Sequence, residues 1–374
     1  MPRSSSPRAS LAPGRAQTAR AGRALSAVAA CAIVALSAGA PAARAADDVL
    51  PAINLQLTPW TVIAQEKGFF KEEFDKIGTT KVSLIASGAA DLVGAESAAV
   101  NAGAIAIAQR MIYPATVHRA NGLDGVIIWA SETSNRYRAP ILARADNDKI
   151  NSVADLDGKK FGSSRISCYW SSPFEQTTKA GLPFDSREKQ GRIRYTSIDN
   201  SAVAISSVLS GATDATTAHL AAGAFAGAWL SGKLKVVGRS PDDGVYVNHA
   251  GRITYFARRD FVNKYPKVIK AFLAARERTR EWTYDHVDEA AAIVAEKTRV
   301  PLEVAKFQIT HAGEWEFTAG EPNADRARTS IKTFQAWYID NGDDILAERK
   351  LSEDQINAFV DGRFFVGGEY SIYN

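Results

Sequence analysis

The sequence predicts an α/β protein in which doubly wound parallel sheets are followed by a helical tail. Short apolar runs rich in β-branched residues alternate with helical runs between residues 49 and 257, which is the pattern of strand–helix–strand units. Several strands lead directly into a helix-start signal, as at Thr58-Pro59, where a capping hydroxyl precedes a proline in the first helical position. After Asp260 the apolar residues follow a helical spacing,.

Residues 1–45 have a different composition from the rest of the chain. Arginines between Arg3 and Arg23 precede the apolar run Ala24–Ala38, and Ala43-Arg44-Ala45 offers a small-residue cleavage site. This pattern predicts a signal peptide of the general secretion route, cleaved near Ala45, and therefore a periplasmic protein. An alternative is lipidation at Cys31, although the apolar run continues past that residue.

Removal of the signal would change the charge balance of the chain. It leaves 39 basic and 41 acidic residues, a net charge of about −2, in place of the +4 of the full sequence. Nucleic-acid binding, which needs a basic face, is therefore not expected. Cys168 would be the one remaining cysteine, so no intrachain disulfide can form, and no zinc-ligand spacing surrounds it,. We expect no metal, no cofactor and no membrane span in the mature chain.

The predicted elements follow in chain order. The strands are expected at 49–57, 81–86, 103–108, 126–129, 141–145, 159–161, 192–198, 213–219, 235–238 and 252–257. The helices are expected at 58–68, 89–100, 163–180, 201–210, 267–284, 287–297 and 329–341, with a capped helical turn at 151–160.

Three of the strand-to-helix junctions are candidate anion sites. They are Thr58–Trp60, Gln109–Tyr113 and Ser163–Ser167. The first turn of a helix presents free N–H groups and a partial positive charge, which favour a bound anion. In the third junction Ser163 or Ser164 is expected to cap the helix. An ordinary helix start without a ligand is the alternative at each junction.

Side chains near these junctions complete the predicted site. Arg110 and Arg165 could pair with an anion, or be a surface charge or an inter-lobe salt bridge. Aromatic rings could enclose an organic group or simply pack in the core, and His219 could donate a hydrogen bond or be structural. The predicted ligand-binding set is Gln56, Thr58, Trp60, Gln109, Arg110, Tyr113, Ser163, Ser164, Arg165, Tyr169, Trp170 and His219.

Five short motifs give the chain a family resemblance. They are Ala64–Phe70, Ile150–Lys160, Gly162–Ser164, Gly211–Ala215 and Ala257–Phe261, the last with Tyr265-Pro266 after it. In order and spacing they resemble the periplasmic solute-binding proteins of ABC importers, in particular the nitrate, sulfonate and taurine branch and the NMT1/THI5-like thiamine-precursor proteins. Ala106 departs from the pattern, because that branch usually has an aspartate there.

The resemblance implies a type II periplasmic-binding-protein fold, in which two α/β lobes are joined by two crossover strands and close on a ligand. It implies lobe I at residues 46–140 plus 254–374 and lobe II at 141–253. The crossovers would be Ala139–Ala145 and Arg252–Ala257. The implied partners are a small organic anion and an ABC permease with its cytoplasmic ATPase, so that a monomer meets the membrane only through the permease.

The predicted function is capture of a small organic anion, with a sulfonate or sulfate ester favoured, and its delivery to the permease. The alternatives are an aromatic carboxylate, nitrate or pyrimidine thiamine precursor as ligand, or a sensor role for a membrane receptor. An enzyme is not expected, because no Gly-x-Ser-x-Gly, Walker or His-Glu-x-x-His motif is present,. A related pyrimidine synthase also carries a cysteine-rich motif that this sequence lacks.

Overall fold

Two five-stranded sheets organise the chain. The structure is a computed structural model, and it describes residues 52–78, 81–85, 95–132, 139–186, 189–219, 223–312 and 322–374. The first sheet has the strand order β2-β1-β3-β10-β4 and the second has the order β7-β6-β8-β5-β9. The strands are β1 Ile53–Gln56, β2 Val82–Ile85, β3 Ile107–Met111, β4 Gly125–Ala130, β5 Ile141–Arg144, β6 Lys160–Ser163, β7 Arg194–Ser197, β8 Ala215–Thr217, β9 Leu234–Gly238 and β10 Ile253–Arg258.

The chain passes from the first sheet to the second between β4 and β5 and returns between β9 and β10. Parallel pairing joins β1 to β2 and β3, and joins β6 to β7 and β8. The sheets depart from the predicted parallel arrangement at two strands. β10 runs antiparallel to β3 and β4, and β5 runs antiparallel to β8 and β9, because each of these strands enters its sheet directly from the other one.

Helices flank both sheets and form the C-terminal part of the described chain. They are α1 Pro59–Glu66, α2 Phe69–Asp75, α3 Ala95–Asn101, α4 Ile112–Ala120, α5 Cys168–Lys179, α6 Ser201–Ser210, α7 Gly223–Leu230, α8 Arg259–Lys264, α9 Pro266–Asp285, α10 Val287–Thr298, α11 Leu302–Phe307, α12 Ala324–Asp340, α13 Asp344–Ala347 and α14 Glu353–Phe359. A 3₁₀ turn at Val153–Leu156 begins with the Ser152 capping box, as the sequence predicts for that segment.

Two large buried clusters hold these elements together. The first packs α1, α2 and α9 against the first sheet and also includes Cys168 and Tyr169 at the start of α5. The second contains residues of β4, β5, α4, α5 and α12. Both clusters therefore draw apolar side chains from elements of the two sheets, and a buried apolar surface of this kind is the main stabilising contribution to a fold.

Some element boundaries differ from those expected. Phe69 begins a second short helix, and α7 was not anticipated. β3 starts at Ile107 instead of Gly103 and continues to Met111, so Gln109 and Arg110 belong to the strand and not to a loop. The strand is extended because β10 pairs with it from Ile107 through Met111.

The predicted signal segment, the Ala45 cleavage site, Cys31 and the first part of the expected helix 89–100 lie outside the described residues. None of the helices in the described ranges combines the length and the apolarity that crossing a bilayer requires. Within those ranges no cluster of three or more His, Cys, Asp or Glu side chains is arranged to hold a metal ion.

Candidate functional site at the strand ends

The junction between β1 and α1 has the local structure that its sequence predicts. Thr58 caps α1: its Oγ1 accepts from the Thr61 N–H at 3.3 Å, and Thr61 Oγ1 accepts from the Thr58 N–H at 2.8 Å. Pro59 occupies the first helical position, where its missing N–H costs nothing,. Gln56, the last residue of β1, accepts through Oε1 from the Gln109 N–H at 3.2 Å. The carboxyl ends of β1 and β3 therefore lie side by side.

A row of large side chains crosses the first sheet beside this junction. Tyr255 of β10 lies opposite Gln109 on one side and opposite Trp129 on the other, and directly opposed residues of antiparallel strands share a face. Trp60 packs edge-on over this row, with its ring centroid 5.5 Å from that of Tyr255. It also contacts Phe272 at 5.5 Å and is 2% exposed. The Trp60 ring is thus part of the core.

Three uncharged polar atoms in the predicted ligand-binding set are buried without a hydrogen-bond partner among the described residues. They are Nε1 of Trp60, Nε2 of Gln109 and Oγ of Ser164. Most buried polar groups in folded proteins are hydrogen-bonded, so each exception requires an explanation. All three atoms can donate a hydrogen bond. Trp60 follows β1, Gln109 lies in the middle of β3 and Ser164 follows β6. This arrangement suits an acceptor-rich ligand.

A buried cation lies on the same side of the molecule as the start of α5. Arg110 is 7% exposed, and Nη1 lies 2.5 Å from Nε2 of His118. Burial lowers the pKa of Arg110 to about 9. A charge on the Cys168 thiol would raise this pKa, which places Cys168 close to the guanidinium. Burial and the Arg110 charge lower the pKa of His118 to about 3. His118 is therefore neutral at physiological pH and accepts from the guanidinium.

The start of α5 differs from its prediction. Ser167, and not Ser163 or Ser164, is the capping residue, and its Oγ accepts from the Tyr169 N–H at 3.0 Å. Ser163 still belongs to β6, where it pairs with Ser197 of β7. Its hydroxyl donates to the Tyr169 carbonyl at 2.6 Å and lies 2.8 Å from the Tyr195 hydroxyl. Sheet pairing thus keeps Ser163 in the strand, and the helix begins only at Cys168.

The second predicted junction has a similar departure, because α4 begins at Ile112 without a side-chain cap. The Ile112 N–H donates to the carbonyl of Arg252 at 2.8 Å. One of the free N–H groups expected at this helix start is therefore used within the protein. Since Gln109 and Arg110 lie in β3, their side chains, and not the helix terminus, are what this junction offers to a ligand.

Three predicted aromatic residues have their polar atoms engaged. Oδ2 of Asp343 accepts from the Tyr113 hydroxyl at 2.5 Å and from Nε1 of Trp170 at 3.0 Å. Burial raises the pKa of the Asp343 carboxyl, and these two hydrogen bonds oppose that rise. The Tyr169 hydroxyl lies 3.0 Å from Oγ of Ser201 at the start of α6. Asp343, which is not in the predicted ligand-binding set, thus fixes Tyr113 and Trp170 in the core.

Arg165, in the connection between β6 and α5, makes its contacts within the protein. Its guanidinium pairs with Asp344 at 3.2 Å, donates to the Asp185 carbonyl, and stacks 4.8 Å from the Trp170 ring. It lines a groove of about 370 Å³ together with Asn121, the residue that follows α4. His219 lies half-buried just after β8, and its role stays a prediction.

Two residues near this site were missed. Tyr255 lies in the middle of the first sheet because β10 inserts between β3 and β4, and strand order cannot be obtained from periodicity. Asp343 had a local signal, because an aspartate before a short apolar helical run is a typical N-cap. It does cap α13 through Oδ1, which accepts from the N–H groups of Ile345 and Leu346.

Two mixed five-stranded sheets, joined by two chain crossings and carrying polar groups at the strand ends, define the fold of the periplasmic binding proteins. The chain belongs to the NMT1/THI5-like family, whose model matches residues 56–290. The comparison with curated proteins finds no match.

Solved structures with the same fold include two SsuA proteins and one NrtA protein. The alkanesulfonate-binding protein SsuA from Xanthomonas axonopodis pv. citri, bound to MOPS, superposes with a TM-score of 0.65 at 14% identity, over 83% of this chain and 98% of that chain. The periplasmic aliphatic sulphonate-binding protein SsuA from Escherichia coli gives 0.61 at 19%, over 80% and 97%. The periplasmic nitrate-binding protein NrtA from Synechocystis PCC 6803 gives 0.56 at 14%, over 83% and 91%.

Proposed function

We propose that this chain is the exported solute-binding component of an ABC import system and that it binds a small organic anion without turnover. The ligand would lie between the carboxyl ends of β1 and β3 and the start of α5. The observation that carries the proposal is the set of buried donors on Trp60, Gln109 and Ser164, which have no partner among the described residues. Leaving each one unpaired costs about 1–3 kcal/mol, and an oxyanion would remove that cost.

The buried guanidinium of Arg110 favours an anion over a neutral ligand. Its lowered pKa of about 9 reports the cost of holding the charge away from water,. A nearby anion would reduce that cost. Each hydrogen bond to a charged group contributes about 1.5–3 kcal/mol, and micromolar binding requires about 8 kcal/mol. Three donors and one buried cation are therefore of the right order.

A sulfonate or sulfate ester fits this set best among the anions considered. Its three terminal oxygens can each accept from a separate donor, whereas a carboxylate has two oxygens that share one plane. Nitrate also has three oxygens but carries no organic group. Met111, Tyr246 and Tyr169 belong to the same buried cluster as Trp60, and they provide apolar surface for an organic group. The two SsuA proteins with this fold are an alkanesulfonate-binding and an aliphatic sulphonate-binding protein.

Other predicted residues would support the site without touching the ligand. We propose this for Ser163, Arg165, Tyr113 and Trp170, whose polar atoms are engaged elsewhere. The remaining proposed contacts are Gln56, Thr58, Trp60, Gln109, Arg110, Ser164, Tyr169 and His219.

The proposed lobes, location and partners follow from membership of the NMT1/THI5-like family. The two lobes would be residues 46–140 plus 254–374 and residues 141–253, with one sheet in each. The chain would act as a monomer in the periplasm after signal cleavage near Ala45. It would deliver its ligand to a permease that works with a cytoplasmic ATPase.

Thermal unfolding with a panel of anions tests this function. The panel contains propanesulfonate, 4-nitrophenyl sulfate, benzoate, nitrate and an aminopyrimidine, with propanol as the neutral control. A ligand present at 100 times its Kd stabilises the folded state by about 2.7 kcal/mol. We expect the largest rise in Tm with a sulfonate or sulfate ester. No rise with any member would contradict the proposed function.

Two variants connect binding to the named donors. Gln109→Leu and Ser164→Ala each remove one buried donor, so we expect a loss of affinity of about 10- to 100-fold with little change in Tm. Thr283→Val is the matched control, because Oγ1 of Thr283 is also buried without a partner among the described residues but belongs to α9. If all three variants bound the anion with equal affinity, neither Gln109 nor Ser164 would be a ligand contact.

A further inference from the structure

The C-terminal helices hold the beginning of α5 through three side chains. The Tyr338 hydroxyl donates to the Ser171 carbonyl at 2.6 Å, and Asp343 accepts from Nε1 of Trp170 at 3.0 Å. Asp344 pairs with Arg165 at 3.2 Å. We call Tyr338, Asp343 and Asp344 the C-terminal clamp. These three contacts fall within the first turn of α5 and the loop that precedes it.

The same side chains also hold an element of the first sheet. Asp343 accepts from the Tyr113 hydroxyl at 2.5 Å, and Tyr113 belongs to α4, which follows β3. The Tyr113 ring packs against Tyr338 with centroids 5.1 Å apart. One carboxylate, which is 0% exposed, therefore joins a helix that follows a strand of the first sheet to a helix that follows a strand of the second.

Rotation of the two sheets against each other would have to break these contacts. Asp343 would lose the Trp170 donor while still buried, and the Trp170 N–H would lose its acceptor. Buried polar groups are rarely left unpaired in folded proteins.

We infer that the C-terminal clamp is a third connection between the two sheets and that it holds the start of α5 in its ligand-binding position before a ligand arrives. This inference rests on the proposed function only in naming α5 as a ligand contact. Tyr338, Asp343 and Asp344 are then positioning residues. A site held in this way is preorganised, so ligand binding does not have to supply the free energy of closing the two sheets together.

Distances between spin labels on the two sides of the molecule test the inference without a ligand. Val203 of α6 and Tyr284 of α9 are 55% and 52% exposed, so each can be replaced by a labelled cysteine. Singly labelled chains control for reaction at Cys168, which is buried. With the clamp intact, we expect one narrow distance distribution by double electron–electron resonance. A broad or bimodal distribution in the unaltered chain would overturn the inference.

The clamp is then weakened in the double variant Tyr338→Phe, Asp344→Ala, which removes two of its three contacts with α5 and the preceding loop and should gain a second population at longer distance. The matched control is Tyr373→Phe, Asp325→Ala. Tyr373→Phe removes the hydroxyl that accepts from Nε1 of Trp129, and Asp325→Ala removes the ion pair with Arg328. Both contacts lie outside the clamp. The control should keep the single narrow distribution.

A folded clamp variant with the same distribution as this control would refute the third connection. Should the double variant fail to fold, Asp344→Asn keeps the size of the side chain, removes the ion pair with Arg165 and should shift the distribution in the same direction. Because no ligand is added, a failure of the anion panel would count against the proposed function and leave the distance result standing.

Discussion

Ser163 and Ser164 are adjacent in the chain and both fully buried, yet their hydroxyls have different environments. Oγ of Ser163 donates to a backbone carbonyl and contacts Tyr195, whereas Oγ of Ser164 has no partner among the described residues. The sequence could predict that hydroxyls occur at this junction. It could not predict which one is left unpaired, because that depends on Tyr195 in a neighbouring strand.

A pH prediction follows from His118. Its folded-state pKa of about 3 lies below the ordinary value of 6.5, so between these values the unfolded chain binds the extra proton and the folded chain does not. Stability due to this residue is therefore complete above about pH 6.5 and falls on acidification. From pH 7 to pH 5 we expect a loss of up to about 2 kcal/mol.

Urea unfolding of the unaltered chain and of His118→Gln at pH 7 and pH 5 measures that loss. Glutamine keeps an acceptor for the Arg110 guanidinium but does not titrate. The variant should lose less stability than the unaltered chain over this pH range, since the other titrating groups are shared. Equal losses in the two chains would mean that His118 takes up a proton in the folded state.

At the scale of elements, helix starts were predicted well where local capping decides them. Thr58 caps α1 as expected, and the capped turn expected at 151–160 contains the Ser152 capping box. The start of α5 was misplaced because β6 continues to Ser163 through pairing with β7. β3 was placed too early for a similar reason, since β10 extends it. Pairing between strands that are distant in sequence carries no local signal.

The corrected start of α5 gives a prediction for its cap. Ser167→Ala removes the acceptor for the Tyr169 N–H and should lower the free energy of unfolding by about 1 kcal/mol,. Ser352→Ala removes a comparable cap from α14, through the Gln355 N–H. We expect similar losses of stability by chemical unfolding, but weaker anion binding only in Ser167→Ala. Weaker binding in both variants, or in neither, would show that the start of α5 does not contact the ligand.

At the scale of the whole molecule, the sequence could predict an α/β fold with two chain crossings, and the two sheets and the matched structures confirm that fold class. The division into lobes at residues 140 and 254 stays a prediction. The contacts of Tyr113 and Trp170 could not be predicted, because they meet at Asp343, which lies 230 and 173 residues further along the chain.

The central claim is that buried donors at the strand ends bind one small organic anion. Native mass spectrometry tests it most directly, with the chain mixed with equal amounts of sulfonates, sulfate esters, carboxylates, nitrate and their neutral analogues. We predict a single adduct at one anion per chain, with the mass of a sulfonate or sulfate ester, that is lost in the double variant Gln109→Leu, Ser164→Ala. No adduct, a neutral adduct, or an anion retained equally by the variant would contradict the claim.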